Sequence, residues 1–382
     1  MSEKNDNKVP NVPNLRFNKS EVWHTERLSK YAKKITLKNK NNLIENIICN
    51  SAQNGLIQQK DFFDRTIVNN ENTEHYYVIE QGNFVYNPRK SVTAPYGPVN
   101  VYEYTNSGIV SPLYLCFKVD GIDKRFLNYY FKSSAWYKYI YENGDSGARH
   151  DRVSIKDDVF LAQPIIVPHL TTQDKIASFL SKIDQRIETQ SKIINCLESL
   201  LNEISHHYFG SLSSIEIALS KIADIYQPKT ISQSECSENG TYNVFGANGI
   251  IGKFNQYNHD LPQICITCRG STSGNVFMTE SYSWITGNAM VINIDKNLEI
   301  VNKTFLYYYL SSMSFKNIIS GSGQPQIVRE PLMKIKIKLP SLEEQLRFEK
   351  IINSIASKLQ KEKDILALYK KQKAYLLANM FI

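Results

Sequence analysis

"VPHLTTQDKIASFLSKIDQRI", residues 167–187, and "LPSLEEQLRFEKIINSIASKL", residues 339–359, are two versions of one passage. Each version places a proline before a short polar stretch and then before a helical pattern of apolar residues. Aligning Pro168 with Pro340 sets an offset of 172 residues, and no gap is needed as far as Phe209 and Phe381. Identities in this register are Leu170/Leu342, Gln173/Gln345, Ile183/Ile355 and Ile193/Ile365. The chain therefore contains an internal repeat.

Both passages continue as heptad patterns, in which two seam positions are apolar over about five repeats. Such a seam is typical of a coiled coil. Two unrelated amphipathic core helices are the alternative, but the shared register, start and length favour a repeated element. The seam residues of the first copy are Ile176, Leu180, Ile183, Ile187, Ile194, Leu197, Leu201, Ile204 and Tyr208; those of the second are Phe348, Ile352, Ile355, Leu359, Leu366, Tyr369, Leu376 and Met380.

A polar residue interrupts each seam at the same place, Gln190 in the first copy and Glu362 in the second. A helix of about 37 residues is about 55 Å long, and its seam would face water unless the two copies packed together. An antiparallel pair would bring the two polar residues together at the coiled-coil centre and spare each an apolar neighbour. A parallel pair in register would also match them, so the pattern alone leaves the direction open.

Each long helix also has a readable beginning. Thr171 and Thr172 follow a proline and offer hydroxyl groups that could cap the first helix. In the second copy, Ser341 is followed by Glu343 and Glu344, acids that are favourable near the positive end of a helix.

The stretches that precede the two helices resemble each other at their ends and differ in their centres. Both open with Leu-Ser-Lys-x-Ala, both are strand-rich, and both carry a tyrosine-rich helical segment before a glycine-rich polar loop. The sequence therefore predicts an α+β fold of two similar domains joined by two long helices, with a pseudo-two-fold repeat. The expected segments are a flexible tail over 1–14, a first domain over 15–167, a central helix over 168–208, a second domain over 209–339 and a C-terminal helix over 340–382.

Composition limits the classes of partner and compartment. The 382 residues carry 45 Lys+Arg against 37 Asp+Glu, a net charge of +8, which favours anionic partners and nucleic acid first, although many ordinary proteins share such an excess. The sequence contains no run of about 18 apolar residues, so no membrane span is predicted. The polar N-terminus lacks the apolar core of a signal peptide. Six irregularly spaced cysteines are typical of reduced cytoplasmic thiols.

Motifs for catalysis, metal binding or a cofactor are weak. No phosphate-binding G-x-x-x-x-G-K-[ST] loop occurs, and Asn87-Pro88 matches only the first half of the Asn-Pro-Pro-aromatic strip of an adenine methyltransferase. Cys265 and Cys268 have no second Cys-x-x-Cys pair for zinc. We therefore expect no catalytic residue, no metal and no cofactor on this chain.

The repeat, the "LPSLEEQ" helix start, "GANGIIG" at 246–252 and the "SGSGQPQI" loop at 320–327 together resemble the specificity subunit of type I restriction–modification systems. The resemblance covers the chain beyond its first ~15 residues. It implies a non-catalytic subunit of a prokaryotic cytoplasmic complex, in which each target-recognition domain reads half of a split double-stranded DNA target. It also implies that the helices form an antiparallel coiled coil, space the domains and dock two methyltransferase subunits. Restriction motor-nuclease subunits complete such complexes, and S-adenosylmethionine, ATP and Mg²⁺ are expected on the partner subunits only.

Polar and basic residues on the loops are the candidates for DNA contact, because arginine suits guanine, glutamine or asparagine suits adenine, and lysine or serine suits phosphate. A scaffold protein whose basic loops bind a protein partner is the alternative function. The candidates are Arg89, Lys90, Arg149, His150 and Arg152 in the first domain, and Asn248, Lys253, Arg269, Ser271, Thr272, Gln324, Gln326 and Arg329 in the second.

Overall fold

The computed structural model describes residues 12–62, 73–145, 150–231, 235–237, 239–247, 249–321 and 323–381. The chain divides into two compact units, Met1–Thr189 with Ile365–Ile382 and Gln190–Asp364. Each unit therefore combines a domain with part of each long helix. In the part of the chain that the structure describes, no helix is both long and apolar enough to cross a membrane.

In its described residues, the first unit contains a domain of ten strands and four short α-helices, followed by the start of a long helix. Its main sheet is antiparallel and has the order β2-β9-β6-β7. The elements are β1 His24–Arg27, β2 Ala32–Lys34, β3 Ile48–Ser51, β4 Gly55–Gln58, α1 Gln59–Phe62, β5 Tyr77–Ile79, β6 Phe84–Tyr86, β7 Val99–Val101, β8 Gly108–Val110, β9 Leu115–Val119, α2 Lys124–Lys132, α3 Tyr137–Asn143, α4 Asp157–Leu161, β10 Pro164–Val167 and α5 Leu170–Ser211.

The core of this domain lies between the main sheet and the helices that follow it. Alternating apolar residues of β6 and β9 place Phe84 and Phe117 on one buried face, where their rings stack 5.3 Å apart. Phe131 of α2 and Phe160 of α4 cover that face and are also buried. The domain closes on itself because β1, its first strand, pairs with β10, the strand directly before α5.

The second unit repeats this plan with a different centre. Its main sheet has the order β12-β18-β15-β16. Numbered along the chain, the four strands lie in the order first, fourth, second and third, as in the main sheet of the first unit. Its first and last strands, β11 and β21, pair in the same way. The elements are β11 Glu216–Ala218, β12 Asp224–Tyr226, β13 Tyr242–Gly246, β14 Gly249–Phe254, β15 Ile264–Thr267, β16 Val276–Met278, β17 Trp284–Ile285, β18 Ala289–Asn293, α6 Lys303–Ser311, β19 Ile319–Ser320, β20 Gln326–Ile327, α7 Arg329–Met333, β21 Lys336–Lys338 and α8 Leu342–Met380.

Within each unit the segments of α5 and α8 run antiparallel. In the second unit Phe209, near the end of α5, packs on Phe348, near the start of α8, with ring centroids 5.0 Å apart. In the first unit Ile176, near the start of α5, and Met380, at the end of α8, are buried in one cluster. The predicted seam residues are all buried or half-buried in the structure, so the predicted fold class is confirmed.

The polar centre of the helix pair is also confirmed. Gln190 and Glu362 are both buried, at 7 % and 6 % exposure. The Gln190 Nε2 amide donates to the Glu362 carboxylate and, over 3.1 Å, to the Glu362 backbone carbonyl. Lys358, one turn earlier on α8, forms an ion pair with the same carboxylate. The two polar residues therefore satisfy each other between the apolar residues of the seam on either side.

Candidate DNA interface

Two loops of the first domain lie side by side at the end of β6. The Lys90 amide donates to the Asp151 carbonyl over 2.8 Å, and the Val153 amide donates to the Pro88 carbonyl over 2.9 Å. Between these bonds, Arg89 and Arg152 face each other as an antiparallel bridge. Residues that are directly opposite in such a bridge present their side chains on the same face. Two arginines distant in sequence are thus brought together.

Local hydrogen bonds fix the turn that carries Arg89. The buried Asn87 accepts a bond from the Arg89 amide through its Oδ1 atom, over 3.0 Å, and donates to the Asn50 carbonyl over 3.1 Å. Asn50 is itself buried and donates to the Val85 carbonyl over 2.7 Å. An asparagine that bonds the amide two residues on is a common way to stabilise a turn. The Asn87-Pro88 turn is therefore rigid, and Arg89 projects from it into solvent.

Charge at this site is only partly neutralised. The Asp151 Oδ2 atom lies 3.7 Å from the Arg89 Nε atom and 4.0 Å from the Arg152 Nε atom. The Arg89 side chain is 67 % exposed, whereas that of Arg152 is 34 % exposed. Both line a cleft of about 260 Å³ together with Tyr114. One carboxylate between two guanidinium groups leaves a net positive surface, which suits an anionic partner.

The second domain brings together a corresponding pair of loops. The Gly270 amide donates to the Pro325 carbonyl over 3.0 Å, and the Ile327 amide donates to the Cys268 carbonyl over 3.0 Å. Arg269 and Gln326 form the bridge between these bonds, and both side chains are exposed. The same two bonds surround the bridge in each domain, so Arg269 corresponds to Arg89 and Gln326 corresponds to Arg152.

A serine closes the second loop pair. The Ser273 hydroxyl lies 2.8 Å from the Gly270 carbonyl and 2.9 Å from the Pro325 carbonyl. Gly270 has a φ of 90°, a conformation that glycine adopts without strain. Ser271 and Thr272, two predicted contact residues, lie in this turn beside Arg269. The loop pair therefore groups five of the predicted residues, Arg269, Ser271, Thr272, Gln324 and Gln326.

The remaining predicted residues are more dispersed. His150 is exposed on the loop before Arg152, and Arg329 is exposed at the start of α7. Lys253 lies on β14, opposite Asn243, and within the described residues no hydrogen bond or strand pair joins it to the loop pair. Arg149 and Asn248 lie outside the described residues. Whether any of these side chains contacts DNA stays a prediction.

A buried glutamine attaches each long helix to its domain, a role that the sequence comparison did not assign. The Gln173 Nε2 atom donates to the Pro168 carbonyl over 2.9 Å, and its Oε1 atom accepts the Asp123 amide over 2.9 Å. Asp123 in turn caps α2 through its side chain. Gln345 makes the same two kinds of contact, to Pro340 and Asn302. The sequence did contain a sign of this role, because Gln173 and Gln345 are identical residues at equivalent positions of the repeat.

A second polar contact in the helix pair was also missed. Lys373 occupies a seam position of α8 and forms an ion pair with Asp184 of α5. The Tyr129 hydroxyl donates to the same carboxylate over 2.7 Å, and this contact contributes to a raised pKa of Tyr129, after burial. Among the described residues, no group of three or more His, Cys, Asp and Glu side chains could hold a metal ion.

Two domains of one topology, each presenting a basic or amide-bearing loop pair and attached to an antiparallel helix pair, define a duplicated α+β protein. The family model of the "Type I restriction modification DNA specificity domain" matches residues 20–199 and 215–370. The chain belongs to this family. The two matches correspond to the two halves of the internal repeat.

Individual relatives agree with the family. The chain is 28% identical over 125 residues to the type I restriction enzyme EcoprrI specificity subunit of Escherichia coli. This alignment covers 31% of this chain and 30% of that protein. It is 28% identical over 258 residues to the MjaVIII specificity subunit of Methanocaldococcus jannaschii, 54% of this chain and 59% of that protein. The chain thus matches between about a third and three fifths of the length of these relatives.

Solved structures show the same fold over almost the whole chain. The type I restriction–modification S subunit from M. genitalium superposes with a TM-score of 0.62 at 18% identity, covering 97% of this chain and 99% of that one. A chain from a structure concerning complex assembly and conformational transition of the type I R-M system gives a TM-score of 0.58 at 13% identity, covering 93% and 96%.

Proposed function

We propose that this protein is the non-catalytic DNA-recognition subunit of a type I restriction–modification complex and that it reads a bipartite, asymmetric double-stranded target. The observation that carries the proposal is the duplicated loop pair, because the same backbone arrangement presents different polar side chains in the two domains. Two similar readers with unlike side chains suit two unlike half-sites. Arginine, glutamine and serine are the residue types that contact bases and phosphates.

The loop residues of each domain would contact the half-site that this domain reads. Arg89 and Arg269 correspond to each other and are exposed, so each could contact phosphate or a base edge in its half-site. Ser271, Thr272 and Gln324 would add contacts in the second domain. The positive charge of these loops would supply affinity that falls as salt rises, because each phosphate contact releases counterions.

The helix pair would dock two methyltransferase subunits, and restriction motor-nuclease subunits would complete the complex. Supporting this, the seam residues Leu197, Ile355 and Leu359 near the buried polar pair are only half-buried, and apolar residues beside the seam are exposed. In the second unit these are Ile193 at 39 %, Leu200 at 41 %, Leu346 at 48 % and Ile351 at 53 % exposure. Catalysis, with S-adenosylmethionine, ATP and Mg²⁺, would belong to the partner subunits, in the cytoplasm of a prokaryotic cell.

A binding selection tests the proposal. The full chain, purified together with type I methyltransferase subunits from its own organism, retains duplexes from a randomised library, and the retained pool is sequenced. Two defined blocks separated by an undefined spacer are expected. If the assembled complex enriches no motif, the protein is a scaffold that binds protein partners through its loops, and the proposal fails.

A further inference from the structure

The bridge that the two domains share differs between them at one of its two positions. In the first domain the bridge joins Arg89 to Arg152, and in the second it joins Arg269 to Gln326. An arginine therefore stands at the first position in both domains, whereas the second position holds arginine in one and glutamine in the other. Any difference in recognition that arises at this bridge must come from Arg152 and Gln326.

Gln326 is available to a ligand. Its side chain is exposed, and no hydrogen bond within the described residues engages its amide group. Its backbone, in contrast, is fixed, because the next residue, Ile327, is buried at 2 % exposure and its amide donates to the Cys268 carbonyl. A free amide on a fixed backbone is a suitable arrangement for reading a base edge, since little order is lost on binding.

Arg152 is more enclosed than Gln326. Its Nε atom is enclosed and, among the described residues, has no hydrogen-bond acceptor. The nearest carboxylate oxygen, on Asp151, is 4.0 Å away and is shared with Arg89. The adjacent Val153 is buried and bonded to the Pro88 carbonyl, which fixes the backbone as Ile327 does in the other domain. The guanidinium group is therefore partly enclosed, and the carboxylate near it is shared with Arg89.

We infer that Arg152 and Gln326 each determine one base, at corresponding places in the two half-sites, and that Arg152 selects guanine and Gln326 selects adenine. The inference rests on the proposed function. Arginine can bond the O6 and N7 atoms of guanine together, and glutamine can bond the N6 and N7 atoms of adenine together. The arginine common to both domains, Arg89 or Arg269, supplies charge in each half-site and no difference between them.

The test exchanges the two residues. Arg152→Gln, Gln326→Arg and the double variant are carried through the binding selection on randomised duplexes, beside the parent complex. For Arg152→Gln, one column of one block is expected to change from guanine to adenine while the other block is unchanged. For Gln326→Arg, one column of the other block is expected to change from adenine to guanine. Each change should alter the preference between the two bases by about tenfold or more.

Matched controls change charge elsewhere. Arg347→Gln removes an exposed helix arginine that pairs with Glu343, and Gln360→Arg adds a charge to an exposed helix position. Both should leave all columns unchanged. Arg152→Lys retains the charge but lacks the paired donors, so it should weaken the guanine preference without weakening binding to all sequences alike.

The outcomes separate the inference from the proposed function. If the parent complex enriches no motif, the proposed function fails. If the parent enriches two blocks and the variants enrich the same bases, the inference is overturned and the function stands. Thermal unfolding shows whether the Arg152→Gln variant is folded. If the folded variant binds all sequences more weakly by the same factor, Arg152 is a phosphate contact or a structural anchor, and the inference is overturned.

Discussion

Gln173 and Gln345 show how single side chains attach the long helices to the domains. Each is buried, at 3 % and 0 % exposure, and each satisfies a backbone amide and a backbone carbonyl at the junction. Gln345 adds a second carbonyl, that of Ile300, over 3.0 Å. The polar groups of this junction would otherwise be buried without partners, which is unfavourable.

Replacing Gln345 with alanine should therefore destabilise the protein. The Asn302 amide and the Pro340 carbonyl would lose their partner, and an unsatisfied buried group costs about 1–3 kcal/mol. Chemical denaturation monitored by circular dichroism would measure the change. Gln360→Ala is the matched control, because Gln360 is exposed on the same helix and bonds only to Asp364 in the described chain. Equal stability of the two variants would contradict the role assigned to Gln345.

The polar centre of the seam gives a prediction that depends on pH. The pKa of Glu362 is lowered from its ordinary value of 4.5, first by the hydrogen bond from Lys358 and then by that from Gln190. A carboxylate with a lowered pKa in the folded state stabilises the fold above its unfolded pKa, and this contribution is lost as the pH falls through the folded value. The contribution is therefore complete at pH 7 and is lost in acid below about pH 4.5.

Replacing Gln190 and Glu362 together by leucine should raise the urea midpoint at pH 7, because two buried polar groups are replaced by apolar packing. The difference between variant and parent should grow in acid, where the parent loses the contribution of Glu362. Glu198→Gln is the control, since Glu198 forms an exposed ion pair with Lys363 over 2.7 Å and such pairs contribute little. A lower midpoint for the double variant at both pH values would show that the polar pair stabilises the helix pair.

At the scale of elements, the two helix beginnings show what local sequence can and cannot predict. Ser341 and Glu344 form a capping box, as Ser-x-x-Glu spacing predicts. The Ser341 amide donates to the Glu344 carboxylate over 3.1 Å, and the Glu344 amide donates to the Ser341 hydroxyl oxygen over 3.3 Å. The first helix begins at Leu170, so Thr171 and Thr172 lie inside it and the predicted hydroxyl cap is wrong. Glu21 instead accepts the His169 amide and the Thr172 hydroxyl, each over 2.9 Å.

The exposed apolar residues beside the seam make the docking proposal testable. Leu200→Asp and Ile193→Asp should each reduce co-purification of methyltransferase subunits, with affinity lowered by at least about tenfold if these side chains lie at the centre of the interface. Thermal unfolding should change little, because substitutions at exposed positions usually cost within about 0.5 kcal/mol. Asn202→Asp, an exposed polar position on the same helix, is the control. Undiminished co-purification by both variants would move the docking surface away from this face.

For the whole molecule, the repeat could be predicted because its two copies align without a gap, and the seam and its polar centre because both depend on regular spacing along one helix. The loop pairs could be predicted only as residue types. Arg89 meets Arg152, and Arg269 meets Gln326, through hydrogen bonds between segments more than fifty residues apart. No local pattern encodes such a register. The same reason explains Glu21 at the first helix and the glutamines at the domain junctions, since their partners are distant in sequence.

If the helices set the gap between two half-sites, their length should determine the length of the spacer in the target. Duplicating residues 184–190 in α5 and the corresponding 356–362 in α8 adds one heptad to each helix and keeps both seams in phase. In an antiparallel pair, each copy of Gln190 can still meet a copy of Glu362. Seven residues lengthen a helix by about 10 Å, and DNA rises about 3.4 Å per base pair.

The spacer should therefore grow by up to about three base pairs while both half-sites stay the same, because no reading loop has changed. Mapping methylated sites in cells that carry the parent or the duplicated chain, with the same methyltransferase, measures both quantities. Duplicating the heptad in α5 alone is the comparison: the two helices then differ in length, so a smaller increase is expected. A changed half-site with an unchanged spacer would place base recognition on the helices and contradict their role as a spacer.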